Sequence, residues 1–457
     1  MQGFENMHHL YFKTTKLLLV MKSITSHIKT LLSAAALIIL AASCSDKVVQ
    51  EYTYTVNSPI YMSHEEFNNR VIASEPRALE TPGKLHFKDN MIYIVEQYKG
   101  IHVINNSDPA SPQFVSFIEM PGVVDIASKG YTMYADSYTD LVALDISDPN
   151  QVREVGREPN VFSQNTGFWS SLPPTENDYP IGQIDPNQGV IIGWKVETIT
   201  EEYEVDNRGW GCYNCEYLST TNDMAVGSGA SPTASSPSGI SGSMARFAVS
   251  ENALYVLDIW TLKALDITNA TDPVMGETFQ TNLQVETLFP MDDKLFVGTT
   301  TGMMIYDISN AMSPSFITTF THANSCDPVV VEGNTAYVTL RSGNSCQGFE
   351  NQLDVIDVTD FENPTLIQTY PMTNPHGLGI DNGTLFICDG DDGLKVYDAS
   401  NPNAIDQNQL SHFQDINTYD VIPLGNVLLM IGADGFYQYD YTDVQDIKLL
   451  SVIPVVL

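Results

Sequence analysis

Positive charge is scarce in this chain: 21 Lys and Arg stand against 56 Asp and Glu in 457 residues, a formal net charge of −35 at pH 7. A surface of that sign repels phosphate backbones and anionic headgroups, which excludes nucleic acid and acidic lipid as partners. It accommodates divalent cations, a saline habitat or plain solubility. Cysteine is sparse too, six in all, while 43% of the residues are hydrophobic. The chain therefore has the means for a large apolar core and no need of a disulfide framework. Helical periodicity is nearly missing. So are the signatures of catalysis: no G-x-S-x-G, H-E-x-x-H, Gly-rich phosphate loop or dinucleotide fingerprint occurs, and no catalytic residue is assigned.

What is present is repetition. Seven times between Asn90 and Leu457 an apolar strand, a short turn, a second apolar strand ending in Asp or Asn, and a polar turn follow one another. The aligned aromatic or apolar residue falls at Tyr93, Tyr134, Tyr255, Phe296, Tyr337, Phe386 and Leu429, and the aligned acid or amide at Asn105, Asp145, Asp266, Asp307, Asp357, Asp398 and Asp440. Most intervals in the second series are about 40 to 50 residues, the length of one four-stranded propeller blade. The long interval, Asp145 to Asp266, hides an insertion. The pattern predicts an all-β, seven-bladed β-propeller of four-stranded antiparallel blades over residues 84–457, with an insertion after blade two at residues 156–243. Each blade takes its strands in order from the axis outward. The last unit is complete, so ring closure is expected to rest on packing of blade seven against blade one and not on a shared strand.

The repeated D-[IVA]-[ST]-[DN] turn has a physical task. An Asp or Asn side-chain oxygen accepts nearby backbone N–H groups, and a following Pro stops further ladder pairing. The aligned Asp residues are therefore read as structural. The acidic run Asp389-Gly390-Asp391-Asp392-Gly393 lacks the ligand spacing of an EF-hand and is read as a tight turn. Within the insertion stand a strand-like stretch, GVIIGWKVETITEEYEV, then the pair Cys212 and Cys215, then a Gly/Ser/Pro/Ala-rich run from Gly227 to Ser243 expected to be a mobile loop.

The amino terminus reads as an export signal. Lys22 and Lys29 precede the apolar run Leu31–Leu40, too short to span a bilayer comfortably, and Leu40-Ala41-Ala42-Ser43-Cys44 resembles a bacterial lipobox. Residues 1–43 are then a signal peptide, with Met21 the better-proportioned start, and 44–83 a lipidated Cys44 and its tether, with a short helix around residues 64–72. The mature chain would carry 17 Lys and Arg against 55 Asp and Glu. Ser45 favours outer-membrane sorting. Cys326 and Cys346 flank the Gly333-Asn334 turn and are expected to form a disulfide in an oxidising compartment. Cys212 and Cys215 have no second pair nearby to make a zinc ribbon. Cys388, in LFICD, is read as an inert core thiol.

The segments GIHVINNSDPASP, LVALDISDPNQV, LKALDITNATDP, MMIYDISNAMSP, LDVIDVTDFENP and LKVYDASNPNAI together resemble the LVIVD-repeat family of bacterial β-propellers. The likeness covers about Lys84 to Leu457 apart from the insertion. Asn105 replaces Asp in the first unit, and the last unit, FYQYDYTD, lacks the Pro. No WD pattern, kelch double glycine or S-x-D-x-G box is present. The resemblance implies an envelope-anchored or secreted propeller and brings no general activity with it.

Propellers gather ligands at the central channel, where the first strands converge. Counting nine or ten residues back from each aligned position gives Lys84, Asp125, Arg246, Glu286, Asp327, His376 and Asp420, a mixed charged ring. As a site, Asp125, Glu286, Asp327 and Asp420 would hold a hard divalent cation such as calcium, while Arg246 and His376 would contact an anionic or hydroxylated ligand. As structure, Lys84 and Arg246 neutralise neighbouring acids around a wet channel, the acids being exposed and dispensable for the core. Two functions follow. One is a non-enzymatic, lipid-anchored, monomeric binding scaffold whose partner is an envelope protein or a glycan. The other is a hydrolase or lyase on an extracellular polymer, using the axial acids and His376. A plugged axis with neutralised acids favours the first, and convergent carboxylates in an open cleft favour the second.

Overall fold

The computed structural model describes residues 48–68, 71–162, 179–205, 239–322, 328–342 and 350–456. Cys44, Cys212, Cys215, Cys326, Cys346 and Asp327 lie outside them. The chain divides into two units, residues 1–56 with 197–225 and residues 57–196 with 226–457. In the smaller unit the segments 48–56 and 197–205 belong to two strands, Val48–Met62 and Val190–Val205, that pair with each other. Thr53 Oγ1 lies 2.9 Å from Thr200 Oγ1, and Thr55 Oγ1 3.4 Å from Thr198 Oγ1. Such cross-strand threonine pairs suit a ribbon of β-branched and polar residues.

The larger unit is the propeller, with seven four-stranded antiparallel sheets in sequence order. Blade one is Pro82–Lys88, Met91–Glu96, Gly100–Asn105 and Gln113–Glu119, and blade two Ile126–Lys129, Thr132–Ser137, Asp140–Asp145 and Arg153–Glu158. Blade three is Phe247–Ser250, Ala253–Asp258, Thr261–Asp266 and Val274–Gln280, and blade four Val285–Met291, Lys294–Thr299, Gly302–Asp307 and Ser315–Thr321. Blade five is Val329–Glu332, Thr335–Leu340, Gln352–Asp357 and Thr365–Pro371, and blade six Leu378–Asp381, Thr384–Cys388, Leu394–Asp398 and Gln409–Phe413. Blade seven is Thr418–Pro423, Val427–Gly432, Gly435–Asp440 and Lys448–Pro454. The outer strand of blade two thus runs three residues into the stretch that the sequence assigned to the insertion. The predicted helix near residue 64 is a single short turn, His64–Asn68. In every blade the third-to-fourth strand pairing carries a register shift, a bulge that adds the twist a propeller blade needs.

The repeat explains itself in packing terms. The aligned residues Tyr93, Tyr134, Tyr255, Phe296, Tyr337, Phe386 and Leu429 are all buried. They join apolar clusters lying between successive blades, the cluster between blades seven and one included. Two of the tyrosines also reach the next blade, Tyr134 OH donating to the Ala270 carbonyl at 3.1 Å and Tyr255 OH to that of Ala311 at 2.6 Å. The aligned acids cap their turns as expected. Oδ1 of Asn105, Asp145, Asp266, Asp307, Asp357, Asp398 and Asp440 each accepts the N–H two residues on, at 2.8 to 3.0 Å. These bonds hold the Asp307 carboxyl down at about 2, with the Ser309 hydroxyl and N–H the leading causes.

Closure joins two complete blades. Packing between blades seven and one is supplemented by one parallel bridge, Leu79 to Val455, with Val456 N donating to Leu79 O at 2.8 Å. A reciprocal amide pair adds to it, Asn106 Nδ2 to Gln438 Oε1 and Gln438 Nε2 to Asn106 Oδ1, both 2.8 Å. The exposed outer edge of blade one is covered by a further short strand, Ile72–Ser74, antiparallel to Gln113–Glu119, which removes one site of edge pairing.

Candidate functional site along the channel axis

The channel is threaded by the protein's own chain. Coming out of the insertion, Ile240–Ser241 forms a short strand antiparallel to the inner strand of blade one, Ile240 opposite Phe87 and Ser241 opposite His86. Gly239 N donates to Ser128 O at 3.0 Å, Gly242 N to Leu85 O at 3.4 Å, and Leu288 N to Ala245 O at 2.8 Å. Ser243 Oγ accepts from Leu378 N at 2.8 Å and lies 3.2 Å from Asp420 Oδ1, while Lys84 Nζ donates to the Met244 carbonyl. One segment, extended at Ile240–Ser241 and turning over Gly242–Ala245 with Ala245 N bonded to Gly242 O at 3.1 Å, thereby touches blades one, two, four, six and seven before becoming the inner strand of blade three. The end of the Gly227–Ser243 run, read from composition as a mobile loop, is a fixed element from Gly239 onward. Its glycines are required by close approach: a Cβ on Gly239 would sit 2.2 Å from His86 Nε2, and one on Gly242 2.0 Å from Asp420 Oδ2.

His86 clamps this segment. Its Nδ1 lies 2.7 Å from Ser241 Oγ and its Nε2 2.7 Å from Ser128 Oγ. Burial pushes its pKa down to about 3, so the ring is neutral and offers one donor and one acceptor to the two hydroxyls.

Five of the charged residues predicted from the repeat, Lys84, Asp125, Arg246, Glu286 and Asp420, gather where the inner strands begin, the upper end of the channel. Asp125 accepts Ile126 N at 2.8 Å on Oδ1 and Arg246 N at 2.6 Å on Oδ2. Asp420 Oδ1 accepts Val421 N at 3.0 Å. Both acids were expected to be exposed; they are 1% and 3% exposed, because the threaded segment lies over them. Burial raises the Asp125 carboxyl against the opposing charge of Lys84, and pushes Asp420 up to about 6 against the same lysine. Burial likewise lowers Lys84 and Arg246, with Asp125 the leading opposing charge on each. Glu286 is half-buried and contributes to the field at Lys84 and Arg246. Of the predicted ring, Lys84, Asp125, Arg246, Glu286 and Asp420 therefore act on one another electrostatically.

His376 stands beside a residue the sequence analysis did not single out. Its Nε2 lies 3.1 Å from Arg341 Nη1, and its ring centroid 5.5 Å from that of Tyr419. Burial, then the Arg341 charge, pushes its pKa down to about 4, which leaves a neutral imidazole. Asp136 was missed as well. Its Oδ1 accepts Val124 N at 2.9 Å and Asp125 N at 2.8 Å, and among the described residues its Oδ2 has no hydrogen-bond partner. Burial pushes it up to about 8, so it is mainly protonated at neutral pH. Two places after the aligned Tyr134, Asp136 breaks an otherwise apolar or small series in the repeat, and that break was the signal available.

Chemically, the upper end spends its acids on backbone amides and on nearby cations. Among the described residues no group of three or more His, Cys, Asp or Glu is placed to hold a metal ion. The Asp389 turn follows the same rule: its carboxylate accepts Thr373 N and Asn374 N and pairs with Lys395. Cys388 is fully buried and its thiol is raised by burial.

The lower half of the channel differs. There the threaded segment separates two troughs. One, of about 230 Å³, lies against blades four to seven, with Phe289, Val331, Ile380 and Ile422 among its walls. The other, of about 190 Å³, lies against blades two to four. Ile240 borders both and remains 49% exposed, an apolar side chain left open between the two troughs.

The LVIVD repeat matches residues 123–158, 241–281, 294–322 and 324–372. No protein with a curated description matches the chain. Solved structures similar to it include BamB from Moraxella catarrhalis, at 11% identity and TM-score 0.44 over 85% of this chain and 91% of that one. PorZ, a surface component of the type-IX secretion system of Porphyromonas gingivalis, aligns at 12% identity and TM-score 0.45 over 84% of this chain and 40% of its own. The periplasmic gluconolactonase PpgL of Pseudomonas aeruginosa aligns at 10% identity and TM-score 0.49 over 78% of this chain and 93% of its own. At these identities the likeness is one of fold alone. Among the described residues no helix is long and apolar enough to cross a membrane. The chain carries LVIVD repeats and folds as a seven-bladed β-propeller.

Proposed function

We propose that this LVIVD-repeat propeller is a non-catalytic, monomeric interaction scaffold, held in a bacterial envelope, on the outer membrane, by a lipid on Cys44. The observation that carries the scaffold reading is the threaded channel. Where an axial active site would need room for substrate, Gly242–Ala245 fills the upper end, and Asp125 and Asp420 are buried beneath it. Its partner is an envelope protein or a glycan, since the acidic surface repels nucleic acid and anionic lipid.

A hydrolase or lyase acting on an extracellular polymer is the second reading, favoured by the raised carboxyls of Asp420 and Asp136. Against it, each raised carboxyl is buried and bonded to backbone amides, and His376 is neutral beside Arg341. The test is to incubate the intact exported protein with envelope polysaccharides and measure retention and new chain ends together. Retention without new chain ends is expected. Release of chain ends that disappears in Glu286→Gln or His376→Ala would overturn the scaffold in favour of the enzyme. Calorimetry with calcium on the same preparation tests an axial cation. Replacing Cys44 by Ala should move the protein from the membrane to the soluble fraction, and unchanged fractionation would contradict the anchor.

A further inference from the structure

The axis-facing edge of each blade is the free edge of its inner strand, and the threaded segment shows how that edge is used. In blade one Phe87 pairs with Ile240 and the Leu85 carbonyl accepts Gly242 N; in blade two the Ser128 carbonyl accepts Gly239 N. In blade six Leu378 N is bonded to Ser243 Oγ. The register position of Phe87 recurs as Ser128, Val249, Pro290, Val331, Ile380 and Pro423, each opposite the residue just before the aligned residue of the second strand. In an antiparallel ladder, backbone groups two residues apart point the same way, so these positions turn toward the axis as Phe87 does. Blades four and seven carry proline there, which removes the N–H and prevents a further strand from pairing. Blades five and six carry Val331 and Ile380, and among the described residues no hydrogen bond reaches the backbone of these two residues from the axial side. Both line the larger trough.

We propose that this trough binds the end of an extended peptide, which adds a strand to the axial edge of blade five or six as the threaded segment does on blade one. The inference rests on the scaffold reading above and gives its partner a chemistry. Three features select an extended chain. The edge offers backbone donors and acceptors, which a peptide satisfies along its length. The walls between include the apolar Phe289, Val331, Ile380 and the exposed Ile240, so the strand carries small and β-branched residues, as Gly239-Ile-Ser-Gly-Ser does. Above, the bond from Leu378 N to Ser243 Oγ bridges the threaded segment to blade six and ends the trough, which suits the end of a chain better than its middle. The flanking prolines Pro290 and Pro423 confine pairing to the two blades between them.

The experiment titrates fluorescein-labelled Gly-Ile-Ser-Gly-Ser, the sequence of residues 239–243, into the intact protein and follows anisotropy. Gly-Pro-Ser-Gly-Ser serves as control, and the double variant Val331→Pro, Ile380→Pro as the blocked trough. That variant copies what blades four and seven already hold at the same position. Saturable binding is expected, weakened at least tenfold by proline in the peptide and at least tenfold by the double variant. Hydrogen exchange on the wild type provides a readout independent of the variant's folding, with Val331 and Ile380 amides slowed by the peptide. No saturable binding of the first peptide to the wild type, equal binding of both peptides, or unchanged exchange at Val331 and Ile380 would overturn the proposal. Chain-end release from polysaccharide, assayed separately, is what would sink the scaffold itself. A failed titration with no such release removes only the peptide trough.

Discussion

The two halves of the channel contrast in almost every physical respect. The upper half is charged, filled and buried, and its polar groups answer one another: Asp125 to the amides of Ile126 and Arg246, Asp420 to Val421 and Ser243, Lys84 to Met244. The lower half is mainly apolar and partly open, and among the described residues no hydrogen bond reaches the backbone of Val331 or Ile380 from the axial side. A cluster of ionisable residues converging on a propeller axis invites a catalytic or metal-binding interpretation. Here Lys84, Asp125 and Asp420 each bond to the threaded segment or to the residue that follows it. The half with little side-chain chemistry is the one with open volume.

The contrast breaks most visibly at Gly242. A Cβ there meets the buried Asp420 carboxylate at 2.0 Å, and neither the segment nor the strand beneath can move far. Gly242→Val should cost roughly 3 kcal/mol or more, the upper range for overpacking, read as a lowered midpoint in denaturant. A neutral result would mean that the upper half is not filled as described.

Asp136 sharpens the contrast through pH. In the unfolded chain it ionises near its ordinary 3.8, whereas burial holds its proton in the folded protein to about pH 8. Between those values the folded state binds the extra proton, so unfolding free energy falls as pH rises from about 4 to 8, by an amount on the order of a few kcal/mol. Asp420, raised to about 6, adds to the fall between about 4 and 6. The turn acids act oppositely: Asp307, depressed to about 2, contributes stability above its unfolded pKa that is lost as pH drops toward 2. Denaturation midpoints should therefore peak on the acid side of neutrality. Asp136→Asn keeps an oxygen for the Val124 and Asp125 amides, and should flatten the decline from pH 5 to 8. An identical pH profile for wild type and variant would place Asp136 in a wetter setting than its burial implies.

Smaller effects come from the periphery and the trough. Asp398→Ala removes the Ser400 N–H bond at 2.9 Å and a second to the Ser400 hydroxyl, and should cost about 1 kcal/mol by thermal melting. The double variant Val331→Pro, Ile380→Pro should cost less still, under about 1 kcal/mol, because the lost N–H groups face the axis and not the ladder. A large destabilisation by the two prolines would show that these edges already have a structural partner.

How much of this could be read from the sequence follows the period. Blade number, the buried aligned aromatics, the Asp and Asn turn caps and closure without a shared strand all repeat, and a signal repeated seven times survives local irregularity. The positions of Lys84, Asp125, Arg246, Glu286 and Asp420 were legible, because an offset of nine or ten residues from Tyr93 and its counterparts reaches the start of their inner strands; Asp327 lies outside the described residues. The burial of Asp125 and Asp420 was not legible. Covering Asp125 and Asp420 depends on Gly239-Ile-Ser-Gly-Ser, a non-repeated stretch whose composition is that of a loop and whose order comes wholly from tertiary contacts. Arg341 escaped for a related reason: it follows the second strand of blade five, outside the offset that found the ring. The prolines at 290 and 423 carry meaning only once the register shows which edge faces the axis.

The central claim is that Gly239–Ala245 threads the channel, and native-state hydrogen exchange on the intact protein tests it most directly. Gly239 N and Gly242 N donate to Ser128 and Leu85, and Leu288 N and Leu378 N are held by Ala245 and Ser243. All four amides should exchange as slowly as those of the blade strands, since they open only with the propeller. Exchange of Gly239 and Gly242 at the rate of an exposed loop, with Leu288 and Leu378 unprotected, would contradict a threaded channel and reopen the axis as a site.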